Sequence, residues 1–247
     1  MKEDLKVNNE LIIKSKDNKK FKSLMQVKAN KKNDEHLILV EGEDLIDMAL
    51  ESNFEVKEVV SLEYNEKYSS YPQTLLSKEL YRELSSYLSL PRSIGLVTFN
   101  FKENYGDKII YLDGVQDPGN LGTIIRTALA FGYKDICLSK NCVSPLNNKV
   151  IQSTKGALFK VNLYYEKLES FVSKGYTLYE TCLDGEDINK IEKVKSKFVL
   201  VFGNEGQGIS KSNLSLPSKH VLLPISREID SLNVGVAAGI FMYLWSN

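Results

Sequence analysis

The chain has 247 residues, 43% of them hydrophobic, and its 32 basic and 32 acidic side chains give a formal net charge of zero. This length allows one large domain or two modest domains with a sizeable buried core. Because the net charge is zero, no overall field attracts a polyanion, and any such partner would be bound by a local patch.

The first residues are charged and polar, unlike a secretory signal peptide. The longest apolar stretch, VGVAAGIFMYLW at 234–245, is too short to span a bilayer and is interpreted as a buried helix. We therefore expect a cytoplasmic protein that does not bind membranes.

Cysteine and histidine usage argues against metal and disulfide chemistry. The three cysteines, Cys137, Cys142 and Cys182, are odd in number and lack paired ligand spacing, so we expect small buried residues. His36 and His220 each border an apolar run and are expected at strand edges. The sequence therefore predicts no metal site and no histidine-based catalytic triad.

The N-terminal segment is rich in lysine. Eight lysines and one acid, Asp17, lie between Lys14 and Lys32, and a helix is predicted over about Lys19 to Ala29. Charge alone leaves two interpretations open, a solvated helix face or a surface that contacts phosphates.

The next residues predict a small α/β module. Strands are predicted at 36–42, 56–62 and 93–99, and helices at 43–52 and 78–88. We assign residues 1–100 to this N-terminal domain and 101–107, in the polar stretch NFKENYGDK, to a linker.

Residues 108–247 alternate between apolar, β-branched runs and helical patterns, which favours a mostly parallel sheet covered on both faces. Strands are predicted at 108–115, 135–139, 158–165, 176–183, 197–204 and 220–225. Helices are predicted at 120–132, 147–157 and 168–175.

The loop GNEGQGIS at 203–210 follows an apolar strand, as phosphate-binding loops do. It lacks the lysine of a Walker-type loop, comes too late for a dinucleotide fingerprint, and contains Glu205, which would repel phosphate. The loop therefore favours a ligand that is neutral or cationic at this point.

Three stretches together resemble the motifs of one family. They are DPGNLGTIIRTALAFG at 117–132, VFGNEGQGIS at 201–210 and LPISREIDSLNVGVAAGI at 223–240. Their order and spacing are similar to those of the SpoU/TrmH RNA ribose 2′-O-methyltransferases of the SPOUT superfamily. LVEGEDLIDMAL at 39–50 resembles the substrate-binding domain that precedes the catalytic domain in many members.

This resemblance implies an α/β SPOUT domain with a parallel sheet and a C-terminal trefoil knot, an exception to the usual unknotted topology. It also implies S-adenosylmethionine as methyl donor, a homodimer, and an RNA substrate bound in part by the N-terminal α/β domain. The two-domain layout favours a guanosine of large-subunit (23S-type) ribosomal RNA. A transfer RNA is the alternative target, and a non-catalytic RNA-binding protein is the alternative from another class.

The resemblance also implies roles for individual residues. The active-site residues are Asn120, Arg126, Glu205, Ser231 and Asn233. The donor-binding residues are Gly203, Glu205, Gly208, Ile225, Leu232, Asn233 and Val234. With an RNA substrate, Lys19, Lys20, Lys28, Lys31 and Lys32 become candidates for phosphate contacts.

The residues also allow structural interpretations. Asn120 could be a plain helix N-cap, and Asp230 or Ser231 could cap the last helix. Arg126 lies in an apolar helical stretch, where a solvated charge fits poorly, so a structural salt bridge is the alternative to catalysis. Arg227 and Gln152 depart from the family pattern, at positions where glycine and a basic residue are usual.

Overall fold

The computed structural model describes residues 12–31, 35–192, 196–226 and 228–246. Lys32 and Arg227 lie outside the described residues. The chain divides into an N-terminal unit, Met1–Phe99, and a C-terminal unit, Asn100–Asn247. Within the described ranges, no helix is both long and apolar enough to cross a membrane.

The N-terminal unit contains a mixed sheet with the strand order β1-β4-β2-β3. Its strands are β1 (Leu37–Glu41), β2 (Glu55–Ser61), β3 (Gln73–Leu75) and β4 (Ser93–Thr98). Its helices are α1 (Lys19–Lys28), α2 (Glu43–Glu51) and α3 (Lys78–Leu84), with a 3-10 turn at Glu66–Tyr68. β4 is antiparallel to both β1 and β2, whereas β3 is parallel to β2.

Helix α1 is anchored by an apolar face. Its N-cap, Asn18, accepts hydrogen bonds from the amides of Lys20 and Phe21, and Phe21 and Leu24 are buried against the sheet.

Helix α3 ends four residues earlier than predicted. There the buried Glu41 carboxylate accepts hydrogen bonds from Ser85 Oγ and the Ser86 amide, which hold the following residues in an extended path.

In the described part of the C-terminal unit, six parallel strands form one sheet in the order β10-β8-β9-β5-β6-β7. They are β5 (Lys108–Asp113), β6 (Asp135–Leu138), β7 (Asn162–Tyr165), β8 (Thr177–Asp187), β9 (Phe198–Gly203) and β10 (Ser218–Leu222). The helices are α4 (Pro118–Ala130), α5 (Asn148–Thr154), α6 (Leu168–Ser173), α7 (Lys211–Leu214) and α8 (Val234–Trp245), with 3-10 turns at Ala157–Phe159 and Ile188–Lys190.

The central strands explain the apolar runs in the sequence. Every residue of β9 is buried, and so are the last five residues of β5, as expected for strands covered on both faces. The predicted α/β class with a parallel sheet is therefore confirmed. The trefoil knot stays a prediction.

One predicted strand is wrong in its first half. The stretch 158–165 forms a strand only at Asn162–Tyr165, after the 3-10 turn Ala157–Phe159. Lys155 and Gly156 both have positive φ values, 49° and 85°, so the chain reverses there before it can extend. The short elements β3 and α7 were not predicted, because three or four residues show no readable periodicity.

Candidate active site

The first segment of the site follows β5 and opens α4. Asp117 is the N-cap, because its Oδ1 accepts a hydrogen bond from the Asn120 amide at 2.8 Å, and Pro118 is the first helical residue. The interpretation of Asn120 as the cap is thus wrong: the helix begins two residues earlier. Asn120 lies in its first turn, with its side chain directed to other groups.

The glycine-rich loop follows β9, the strand paired with β5, so both segments leave the same edge of the sheet. Asn204 organises this loop. Its backbone exchanges two hydrogen bonds with Gly208, its Oδ1 accepts from the amides of Gly206 and Gln207, and its Nδ2 donates to the Gly114 carbonyl at 2.7 Å. Sequence reasoning missed Asn204, although asparagine in a glycine-rich turn is a recognisable signal.

Two glycines of the loop are required by its own backbone. A Cβ atom at Gly203 would lie 2.6 Å from the Gly208 carbonyl oxygen and would overlap the backbone of Ile209. Gly208 has a φ of +70°, a left-handed conformation that glycine adopts without strain. These positions are therefore glycine so that the loop can fold back on β9.

Glu205 joins the loop to the start of α4. Its Oε1 accepts hydrogen bonds from Asn120 Nδ2 at 3.0 Å and from the Asp117 amide at 3.2 Å, and its Oε2 accepts from the Gln116 amide at 3.3 Å. Burial raises the pKa of Glu205, but the hydrogen bonds from Asn120 and the backbone amides outweigh this effect and lower it overall. Glu205 is therefore a carboxylate at neutral pH.

Asn233 connects the third segment to the other two. Its Nδ2 donates to Asn120 Oδ1 at 2.9 Å, while its Oδ1 caps α8 by accepting from the amides of Gly235 and Val236. The interpretation of Asp230 or Ser231 as the cap of this helix is wrong, because α8 begins at Val234. A chain of side-chain hydrogen bonds thus runs from Glu205 through Asn120 to Asn233.

A cleft of about 560 Å³ lies beside this network, a size typical of small-molecule sites. All seven predicted donor-binding residues line it: Gly203, Glu205, Gly208, Ile225, Leu232, Asn233 and Val234. Ser231 lines it as well, whereas Asn120 lies behind Glu205. Sequence reasoning missed the wall formed by Thr181, Cys182 and Leu183, where β8 leaves the sheet.

Arg126 lies on the exposed stripe of α4. Leu121, Ile124, Ile125 and Ala128 are buried on the opposite face of this helix, so the expectation that a solvated arginine fits poorly there is wrong. Arg126 makes no ion pair with any residue that the structure describes, so no described partner supports the salt-bridge interpretation. The Arg126 side chain is exposed.

The candidate RNA-binding lysines separate into two groups. Lys20 forms an ion pair with the buried Glu58, and Lys28 Nζ donates to the Glu83 and Ser85 carbonyls at 2.7 and 3.1 Å. Both lysines therefore support the N-terminal unit itself. Lys19 and Lys31 are exposed and have no ion pair among the described residues.

The cysteines and histidines differ in part from expectation. Cys137 is buried, but Cys142 and Cys182 are only half-buried. Burial, followed by the neighbouring carboxylates Glu180 and Asp184, raises the pKa of the Cys182 thiol to about 11, so it is not a reactive thiolate. His220 lies in the edge strand β10 with its side chain 41% exposed.

Comparison with known proteins identifies the family. Residues 107–243 match the SpoU rRNA Methylase family. The chain is 31% identical over 244 residues to the 23S rRNA (guanosine(2553)-2′-O)-methyltransferase RlmP of Bacillus subtilis, an alignment that covers 94% of this chain and 97% of the relative. It is 30% identical over 162 residues to the tRNA (guanosine(18)-2′-O)-methyltransferase of Aquifex aeolicus, covering 64% of this chain and 77% of that protein.

The fold is similar to that of a solved structure, an AdoMet-bound rRNA methyltransferase from Sinorhizobium meliloti. The TM-score is 0.85, the identity is 23%, and the superposition covers 94% of this chain and 95% of the other. The family match and the similarity to the Bacillus relative along 94% of the chain establish that the chain belongs to the SpoU rRNA methylase family and is a methyltransferase of RNA.

Proposed function

We propose that this protein transfers a methyl group from S-adenosylmethionine to the ribose 2′-hydroxyl of a guanosine in 23S-type ribosomal RNA. The observation that carries the proposal is the cleft, where three separate segments converge through the hydrogen bonds of Glu205, Asn120 and Asn233. The ribosomal target is supported by the Bacillus relative, because that alignment spans both units.

The cleft suits the methyl donor. Its walls combine backbone groups of the glycine loop with apolar side chains such as Phe202, Leu222 and Phe241, which matches a ligand with a flat purine and a polar chain. The donor carries a positive sulfonium, and the Glu205 carboxylate at the wall stabilises a positive ligand. In this proposal Gly203, Gly208, Ile225, Leu232 and Val234 contact the donor.

The reaction is an in-line displacement in which the ribose oxygen attacks the methyl carbon, the sulfur–methyl bond breaks so that the thioether leaves, and the hydroxyl proton is released to solvent. The donor loses its charge in this step, which supplies driving force, so the protein mainly supplies position and electrostatic stabilisation. The exposed Arg126 guanidinium holds the phosphate beside the target ribose and stabilises the developing oxyanion. Asn120, Ser231 and Asn233 fix the geometry around the reacting atoms.

RNA is bound in part through Lys19 and Lys31 of the N-terminal unit, and the target nucleotide is unstacked so that its 2′-hydroxyl can be reached. A transfer RNA is the second candidate, because the Aquifex relative acts on tRNA, but that alignment covers only 64% of this chain. A ribosomal substrate supports a cytoplasmic location.

We further propose a homodimer formed through α8. Val236 and Tyr243 are 52% and 60% exposed and lie on the same face of this helix, which therefore presents an apolar surface. Light scattering should report twice the chain mass for the natural protein. Tyr243→Glu should give a monomer with native far-UV circular dichroism, and an unchanged dimer in that variant would contradict this interface.

The experiment that tests the function is a map of ribose 2′-O-methylation in ribosomal and transfer RNA from cells with and without the gene. Loss of one 23S-type guanosine methylation, restored by the purified protein with S-adenosylmethionine, is the expected result. Loss of a tRNA methylation would select the second candidate. No lost site, together with no donor binding by calorimetry in the presence of RNA, would contradict the enzymatic proposal.

A further inference from the structure

The ladder between β8 and β10 contains a large interruption. His220 of β10 is paired with Glu180 of β8, but the next residue, Val221, is paired with Glu186. The five residues 181–185 of β8 therefore bulge out of the ladder. Gly185 allows β8 to rejoin the ladder at close range, since a Cβ atom there would lie 2.6 Å from the carbonyl carbon of His220 and the nitrogen of Val221.

The bulge brings together three potential metal ligands. Cys182 and Asp184 belong to the bulge and His220 to the facing strand, and one ligand atom from each residue lies within 4.8 Å of the other two. Cysteine, carboxylate and imidazole side chains are the three ligand types that Zn²⁺ binds in proteins, and the Cys182 thiol would release its proton to solvent when the ion binds. A site with three protein ligands leaves one position of a tetrahedral ion for water.

A separate observation points to the same place. Glu180 is fully buried, and the Ser218 and His220 side chains face its carboxylate, but neither carboxylate oxygen makes a hydrogen bond of good geometry with a described residue. Its Oε2 lies 3.4 Å from His220 Nε2. A buried carboxylate with only weak hydrogen-bond partners is costly, whereas a carboxylate behind a metal-binding histidine orients the ring and increases its basicity.

We propose that Cys182, Asp184 and His220 bind a divalent transition-metal ion of the Zn²⁺ class, with Glu180 as the positioning residue behind His220. This departs from the expectation of no metal site. Cysteine spacing could not reveal the cluster, because the ligands come from two strands. The bulge forms one wall of the donor cleft through Thr181, Cys182 and Leu183, so the ion fixes this wall and takes no part in methyl transfer.

Titration of the reduced, metal-free protein with Co²⁺ tests this proposal, because a thiolate bound to Co²⁺ gives a charge-transfer absorption band. We expect one Co²⁺ per chain, displaced by Zn²⁺. Cys182→Ser should abolish the band, and His220→Gln should weaken binding at least tenfold. Glu180→Gln should retain the band but weaken binding by about 10–100-fold, the usual effect of removing a partner of a ligand.

Cys142→Ser is the matched control, since Cys142 is also half-buried but lies outside the cluster. It should leave the titration unchanged. His220 and Asp184 are exposed, so His220→Gln and Asp184→Asn should keep the native circular dichroism even if another variant does not fold. The absence of a saturable band, or a band that survives Cys182→Ser, would overturn the proposal. Neither RNA nor methyl donor is present, so failure here leaves the proposed function unaffected.

Discussion

The Glu205 carboxylate accepts hydrogen bonds from Asn120 and from two backbone amides at the start of α4. The N-terminus of a helix carries a partial positive charge, so this carboxylate is stabilised where it lies. The same group forms part of the cleft wall. One residue therefore fixes the glycine loop and sets the local charge of the proposed donor site.

This anchoring predicts a pH dependence of stability. The pKa of Glu205 is lowered on folding, so its contribution is fully present above the unfolded value of about 4.3 and is lost as pH falls through the folded value. We expect Glu205→Gln to lower the free energy of unfolding at neutral pH by about 0.3–1 kcal/mol. Urea unfolding at pH 7 and in steps below pH 4.3 measures this difference.

Glu103→Gln is the control for this experiment, because Glu103 is exposed and makes no ion pair with a described residue. The free energy of unfolding of Glu103→Gln should equal that of the natural protein at every pH. If Glu205→Gln lowers the free energy of unfolding by the same amount at every pH down to pH 2, the carboxylate charge of Glu205 is not the cause.

Arg126→Lys distinguishes geometry from charge at the proposed catalytic position. Lysine keeps the positive charge but lacks the planar fork that binds a phosphate with two hydrogen bonds. We expect donor affinity and the melting temperature to be unchanged, while single-turnover methylation falls by about two orders of magnitude. Arg82→Lys, on the exposed side of α3, should leave the rate unchanged. A near-natural rate for Arg126→Lys would show that the fork is not needed.

At the scale of elements, the loop after β9 depends on close contact between its own backbone segments. Gly203→Ala would insert a Cβ atom against the Gly208 carbonyl oxygen and Ile209, and would push the loop away from β9. We expect donor affinity, measured by calorimetry, to fall at least tenfold. Gly206→Ala is a matched control in the same loop, because the nearest atom to its Cβ is 3.7 Å away. Equal effects of the two substitutions would contradict this account.

At the scale of the whole molecule, the lysines of the N-terminal unit fall into two groups, and replacing each group should have a different effect. Replacing Lys19 and Lys31 together by Gln should weaken RNA binding and lower the salt dependence by about two units, one for each lost phosphate contact. Stability and donor affinity should not change. RNA affinity measured against salt concentration tests this. An unaltered slope would show that these lysines are solvated surface residues that do not contact phosphates.

Lys28→Gln should behave in the opposite way. Its ammonium group bonds the Glu83 and Ser85 carbonyls at the end of α3, so its loss should lower the melting temperature of the N-terminal unit. The RNA salt slope should stay unchanged. Sequence reasoning grouped Lys28 with the other lysines, because the partners of a long side chain are not readable from local composition.

The sequence predicted most long elements of both units, because buried parallel strands are continuous apolar runs and α4 has a clear amphipathic period. The resemblance of its three motifs to those of the family also predicted residues that line the cleft proposed for the donor. Boundaries were less predictable: Asp117 rather than Asn120 caps α4, and Asn233 caps α8. Several neighbouring polar residues could each act as a cap, and tertiary contacts decide between them.

By itself, the sequence determined the family, the α/β class and the residues around the cleft, because these depend on local patterns and on motif order. Only the tertiary structure decided what each polar side chain contacts. Glu205 reaches the start of α4, Lys28 reaches the end of α3, and Cys182 lies within 4.8 Å of a ligand atom of His220. These residues are far apart in the chain, and the β8 bulge that places Cys182 near His220 is recorded by no local pattern.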